Sequence, residues 1–265
     1  YGMEVHRDKV YIFMEYCQGG TLTALLEHGR IEDENVMRVY TAQMLRGAAY
    51  LHSNNIVHRD IKPDNILFDE HGSIKFVDFG AAKMIANNPK TYAQTLGKAA
   101  GMNMGSLTGT PVYMAPEVIT GGEKGRRGAQ DIWSIGCCVL EMVTGHRPWH
   151  NLDNEWAVMF HVATGRPLLP DPSQLSEHGL DFLRCCFNRA ATARATAQEL
   201  LSHPWLKDVQ EVEAQMRPAG STPSTMTTQS ISTMSGSTLG PTTPGMLQSI
   251  NTTERPLTLP PPSKV

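Results

Sequence analysis

Eight consecutive residues, His58-Arg59-Asp60-Ile61-Lys62-Pro63-Asp64-Asn65, are followed thirteen positions after Asn65 by Asp78-Phe79-Gly80. The stretch between them is too short for anything but a tight hairpin. Asn65-Ile66-Leu67-Phe68-Asp69 is a short apolar strand, Glu70-His71-Gly72 supplies a turn, and Ser73-Ile74-Lys75-Phe76-Val77 returns to Asp78. A hairpin of this length brings Asn65 and Asp78 together at its open end. Asn55-Ile56-Val57 leads into the loop on the other side. A carboxylate and a carboxamide within reach of each other suit Mg²⁺, a hard cation that takes oxygen ligands and keeps several of its waters.

The rest of the chain is patterned mainly for helices. Val10-Tyr11-Ile12-Phe13-Met14 is an apolar run of the kind found in a buried strand. Glu15-Tyr16-Cys17-Gln18-Gly19-Gly20 follows, then Thr21 as N-cap of a short helix carrying Leu22, Leu25 and Leu26. Glu34 to Leu51 places Val36, Tyr40, Met44 and Leu51 near one helical face. Ile132 to Val143 is apolar nearly all round, as in a helix at the centre of a domain, and is too short to span a bilayer. Asn154 to Thr164, closed by Gly165, and Ser176 to Phe187 are further helices, and Thr196-Ala197-Gln198-Glu199 is a capping box.

Three more motifs follow the loop in order: Gly109-Thr110-Pro111-Val112-Tyr113-Met114-Ala115-Pro116-Glu117, Asp131-Ile132-Trp133-Ser134-Ile135-Gly136, and Arg194 ahead of a run ending His203-Pro204-Trp205. Together with the loop they resemble a eukaryotic-type Ser/Thr protein kinase over roughly residues 1 to 207. The resemblance implies an α+β, protein-kinase-like fold: a hinge and mainly helical large lobe with short β-hairpins, most of the small lobe absent. It implies ATP and Mg²⁺ as cofactors. Asp60 would orient a substrate hydroxyl and accept its proton, Lys62 would contact the transferring phosphoryl group, and Asn65 and Asp78 would hold the metal. The Glu15 carbonyl and the Cys17 amide would bond the adenine edge, with Met14 behind it and Leu67 beneath. Lys62 and Thr110 point to Ser/Thr specificity. Arg59 is the position that pairs with an activation-segment phosphate, for which Ser106 and Thr108 are the candidate acceptors. Arg194 and Glu117 would form a buried ion pair. The chain departs from the family pattern at Ile61 in place of Leu, at Ala195 in place of Pro, and at Asn188-Arg189 in place of Asp-Pro.

Within the family, Glu15-Tyr16-Cys17, Gly19-Gly20-Thr21-Leu22, Asp64 before Asn65, and Ala81-Ala82-Lys83 resemble MAP kinase kinase kinases of the fungal osmotic-stress type. The implied partner is a protein substrate, a MAP kinase kinase. A Ste20-like kinase is the neighbouring alternative, and a non-catalytic pseudokinase or scaffold is the alternative of another class. Neither a Gly-rich phosphate loop nor a Val-Ala-Ile-Lys strand occurs before Met14. The chain is therefore expected to start inside the last small-lobe strands, to be part of a longer kinase, and to be inactive by itself.

A net charge of −3 gives no electrostatic footprint for nucleic acid or an anionic membrane. The five cysteines, Cys17, Cys137, Cys138, Cys185 and Cys186, lack zinc-ligand and disulfide-framework spacing. That usage fits a reducing, cytoplasmic setting, with the nucleus left open. Residues 208–265 turn rich in Ser, Thr, Pro and Gly, a composition that cannot bury enough apolar area to order itself, so a disordered tail is expected there.

Overall fold

The structure, a computed structural model, describes residues 1–85, 109–122 and 125–216. Ser106, Thr108 and the Ser/Thr/Pro-rich segment 217–265 lie outside the described residues. Strands β1 (Gly2–His6) and β2 (Lys9–Phe13) form an antiparallel hairpin, Gly2 opposite Phe13 and His6 opposite Lys9. Helices α1 (Leu22–Leu26) and α2 (Glu34–Ser53) follow. Strand β3 (Ile56–Val57) pairs antiparallel with β6 (Lys83–Met84), and β4 (Ile66–Phe68) pairs with β5 (Ile74–Phe76). The remaining helices are α3 (Pro116–Thr120), α4 (Ala129–Thr144), α5 (Glu155–Thr164), α6 (Glu177–Cys186), α7 (Ala197–Leu201) and α8 (Val209–Met216). Among the described residues no helix is long and apolar enough to cross a membrane.

Helix α4 is the centre of the core. Its apolar residues from Ile132 to Val143 are buried on every side, as its sequence requires. Gly136 permits close approach of α6: a Cβ there would lie 2.7 Å from the Cβ of Cys186. Trp133 meets Phe187 edge-on with centroids 5.2 Å apart, and the Arg194 guanidinium lies over the Trp133 ring at 5.1 Å. Helix α2 packs against α4 and also against α7 and α8. That double contact explains a difference from its sequence pattern. The most buried positions are Met37, Thr41, Ala42, Met44, Leu45 and Ala48, whereas Val36 and Tyr40 are half-buried at the margin.

The helix starts follow local chemistry. Thr21, Asn154 and Ser176 each accept a hydrogen bond from a first-turn amide, and both halves of the Thr196–Glu199 capping box form. Two expectations change. Val10 to Phe13 are exposed rather than buried; among the described residues β1 and β2 pair only with each other. The tail expected from residue 208 begins with α8, which docks on α2 through Arg46 and Gln43 to Glu213.

Arg194 is wholly buried and bidentate to Glu117, with Nη1–Oε1 2.7 Å and Nη2–Oε2 2.9 Å. Two further bonds go from Nη1 and Nε to the backbone oxygens of Ala129 and Asn188. The pair thereby locks α3 to the start of α4 and to the loop before α7. Removing one partner strands a buried charge. Glu117→Ala is therefore expected to lower unfolding free energy by about 3–5 kcal/mol in a urea titration, with cooperativity retained.

Candidate active site

The loop after β3 is held from below by one carboxylate. Asp131, in the first turn of α4, accepts from Arg59 N at 2.9 Å, from His58 N at 3.0 Å and from His52 Nε2 at 2.8 Å. Arg59 is thereby fixed at φ 72°, a left-handed conformation that non-glycine residues rarely adopt. His58 is fully buried. Its Nδ1 faces Asp60 N at 3.4 Å, and its Nε2 donates to Val77 O at 3.0 Å. The imidazole thus ties the loop to the end of the hairpin.

Asp60 is the focus of the site. Its Oδ2 receives Lys62 Nζ at 3.1 Å and Asn65 Nδ2 at 3.1 Å, and its Oδ1 receives Thr110 Oγ1 at 3.3 Å. Lys62 Nζ also donates to Thr110 Oγ1 at 2.9 Å. Asn65 Nδ2 makes a second bond, to Asp60 O at 2.9 Å. With the amide nitrogen committed to Asp60, the Asn65 carboxamide keeps its oxygen as the acceptor end. That is the end a hard cation uses.

The hairpin closes as its sequence implies. Phe68 pairs with Ile74 and Ile66 with Phe76, and Val77 N donates to Asn65 O at 3.1 Å. Asp69 Oδ1 accepts from His71 N and Ser73 N, and Gly72 takes φ 75° in the turn. Asp78 follows at once, exposed, at φ 60°, with Oδ1 accepting from Gly80 N at 3.2 Å. Phe79 stacks near His58, centroids 4.8 Å apart. Asn65 and Asp78 are thus brought to one end of the hairpin, as expected.

The second cluster is assembled by a strap over β4. Gly19 N donates to Phe68 O and Phe68 N to Gly20 O, both at 2.9 Å. Gly19 is required by this approach, since a Cβ would lie 2.6 Å from Phe68 Cβ. Thr21 bridges Leu67, and Lys75, opposite Leu67 in register, reaches Glu15 Oε1 at 3.1 Å. Cys17 and Leu67 are each half-buried, whereas Met14 is 75% exposed. Burial, and then the Glu15 carboxylate, push the Cys17 thiol above its usual range.

Two residues of the site are not evident from the loop motif. Thr110, read from sequence only as a marker of specificity, puts its hydroxyl between Asp60 and Lys62. Asp131 anchors the loop, yet its motif carries only the signal of a buried helix start. Downstream, Tyr113 Oη donates to the buried Glu141 carboxylate at 2.7 Å. Burial raises Glu141 above the usual carboxylate range, and burial with the nearby Glu141 raises the Tyr113 phenol, which stays neutral.

The sequence matches the protein kinase domain family over residues 1–206. Among curated relatives, the MAP kinase kinase kinase SSK2 of Saccharomyces cerevisiae is 54% identical over 234 residues, covering 80% of this chain and 15% of the relative. The MAP kinase kinase kinase wis4 of Schizosaccharomyces pombe is 52% identical over 212 residues, covering 80% of this chain and 15% of the relative. The human mitogen-activated protein kinase kinase kinase 4 is 43% identical over 208 residues, covering 78% of this chain and 12% of the relative. The chain thus spans about 15% or less of the length of these relatives. With its catalytic-loop geometry and a match over more than three quarters of its length, the chain belongs to the protein kinase domain family.

Proposed function

We propose that the protein carrying this domain is a Ser/Thr kinase of the MAP kinase kinase kinase tier that phosphorylates a MAP kinase kinase in a stress-signalling cascade. The single observation that carries the reading is the Asp60 carboxylate, bonded on both oxygens by Lys62, Asn65 and Thr110. This arrangement fits a base that receives a substrate hydroxyl proton beside a cation that meets the transferring phosphoryl group. Asn65 and Asp78 supply the two oxygen donors that suit Mg²⁺. Glu15 and Cys17 offer backbone groups for the adenine edge, with Met14 and Leu67 as its apolar neighbours. ATP supplies the phosphoryl group when bound, and Mg²⁺ offsets its charge. The tier and substrate are supported by the names of the fungal relatives and by the resemblance of the hinge and Asp-Phe-Gly-flanking residues to that group.

The full-length protein is the one to assay. In it, Asp60→Asn is expected to lower turnover by about 10²–10⁴-fold while leaving nucleotide affinity close to wild type. A wild-type rate in that variant, measured by radiolabel transfer to a protein substrate, excludes the proposed base.

Regulation follows from Arg59. Its backbone is fixed by Asp131 directly beside Asp60. This favours a phosphate-reading role toward Ser106 or Thr108. Replacing both hydroxyl residues with Ala is expected to cut activity without moving the unfolding midpoint. Mass spectra of active enzyme with both sites unmodified contradict the assignment.

A further inference from the structure

A two-stranded sheet leaves backbone N–H groups on its outer edges, and each needs a partner when it is not in water. On β5 the Ile74 N–H is met by a side chain: it donates to Gln43 Oε1 of α2 at 2.7 Å. The other end of the same carboxamide donates from Nε2 to Glu213 Oε1 of α8 at 3.1 Å. The second Glu213 oxygen accepts from Arg46 Nη1 at 2.8 Å, and the Glu213 side chain is only 15% exposed. A backbone N–H can only donate and a carboxylate can only accept. The two partners therefore force one orientation of the Gln43 amide, and no other side chain of that length does both jobs.

A second contact on the same face of α2 points to the same strand. Gly47, one turn after Gln43, makes room for the Phe76 ring, since a Cβ there would lie 2.9 Å from Phe76 Cε2. The Phe76 ring lies 5.6 Å from that of His58. Val77, next in sequence, bonds Asn65 O through its N–H and His58 Nε2 through its carbonyl. Asp78 comes immediately after. A continuous set of bonds thus runs from α8 through Gln43 and β5 to the aspartate at the open end of the hairpin.

We propose that Gln43 is a positioning residue for Asp78, and that helix α8 sets it by holding the Gln43 amide toward β5 through Glu213. The proposal rests on the reading of Asp78 as a metal ligand. A segment some 135 residues downstream of the hairpin thereby bears on metal-dependent nucleotide binding, and release of α8 loosens the hairpin without touching the site.

Gln43→Glu tests this in the full-length protein, because it keeps an acceptor for Ile74 but sets carboxylate against carboxylate at Glu213. Glu213→Gln then restores the missing donor in the double variant. Two readouts need no catalysis: amide hydrogen exchange over residues 74–77, and the Mg²⁺ concentration that half-maximally promotes ADP binding in calorimetry. The single variant is expected to speed exchange about tenfold and raise the Mg²⁺ midpoint several-fold, and the double variant to reverse both. Unchanged exchange overturns the proposal. So does faster exchange with an unmoved Mg²⁺ midpoint, which makes Gln43 merely structural, or a double variant no better than the single. Absence of phosphotransfer in the wild-type full-length protein, with its Mg²⁺ response intact, defeats the kinase reading alone.

Discussion

One buried carboxylate holds the catalytic loop in shape. Asp131 takes two consecutive backbone amides, His58 N and Arg59 N, together with the His52 ring. The two adjacent amides reach the two oxygens of one carboxylate, His58 N to Oδ2 and Arg59 N to Oδ1, where the chain turns sharply with Arg59 at φ 72°. A conformation of this kind costs about 1–3 kcal/mol and persists only where its surroundings over-determine it. Charge-assisted bonds to Asp131 offset that cost. The arrangement in turn demands Gly128, whose φ is 77° and whose missing Cβ would overlap the His52 ring at 2.1 Å. Loop, α2 and α4 are thus joined at a single acidic group.

From that anchor the chemistry of the site follows by satisfaction of polar groups. With the loop fixed, Asp60 presents both oxygens to Lys62, Asn65 and Thr110, which leaves little freedom for the carboxylate. Its donors arrive from the loop itself and from the segment before α3, so both must be in place for the full set. The Asn65 amide is oriented by the same bonds, and its oxygen end is defined before any cation binds. Preorganised polar groups of this kind cost no rearrangement at the moment of reaction.

Much of this was legible in the sequence, wherever the signal is local. The 58–65 and 78–80 motifs, the turn at Glu70-His71-Gly72, the caps at Thr21 and Thr196, and the wholly apolar stretch within α4 all rest on neighbours a few residues apart. What escaped rests on contacts between distant segments. Thr110 reaches Asp60 across 50 residues, and Gln43 reaches Glu213 across 170. The pairing of β3 with β6 and the docking of α8 are of the same kind. Residues 209–216 lack a long apolar stripe, and α8 is held by Val209 and Val212 against the core together with the bonds of Arg46 and Gln43 to Glu213. The β-run at Val10 to Phe13 failed in the opposite way. Its composition suits a buried strand, but burial is decided by what packs on it, not by the run itself.

The separation between Asp131 and the loop carries a consequence for folding. The bonds to Arg59 and His58 span 72 and 73 residues. Closing a chain segment of that length has an entropic cost that local contacts cannot recover. The strained loop therefore has no means of forming early, while α2 and the β4–β5 hairpin are local structures that can. Catalytic geometry is therefore expected to form late in folding, when α4 docks. A nascent or partly unfolded chain with native-like helices has the residues of the site but not the site.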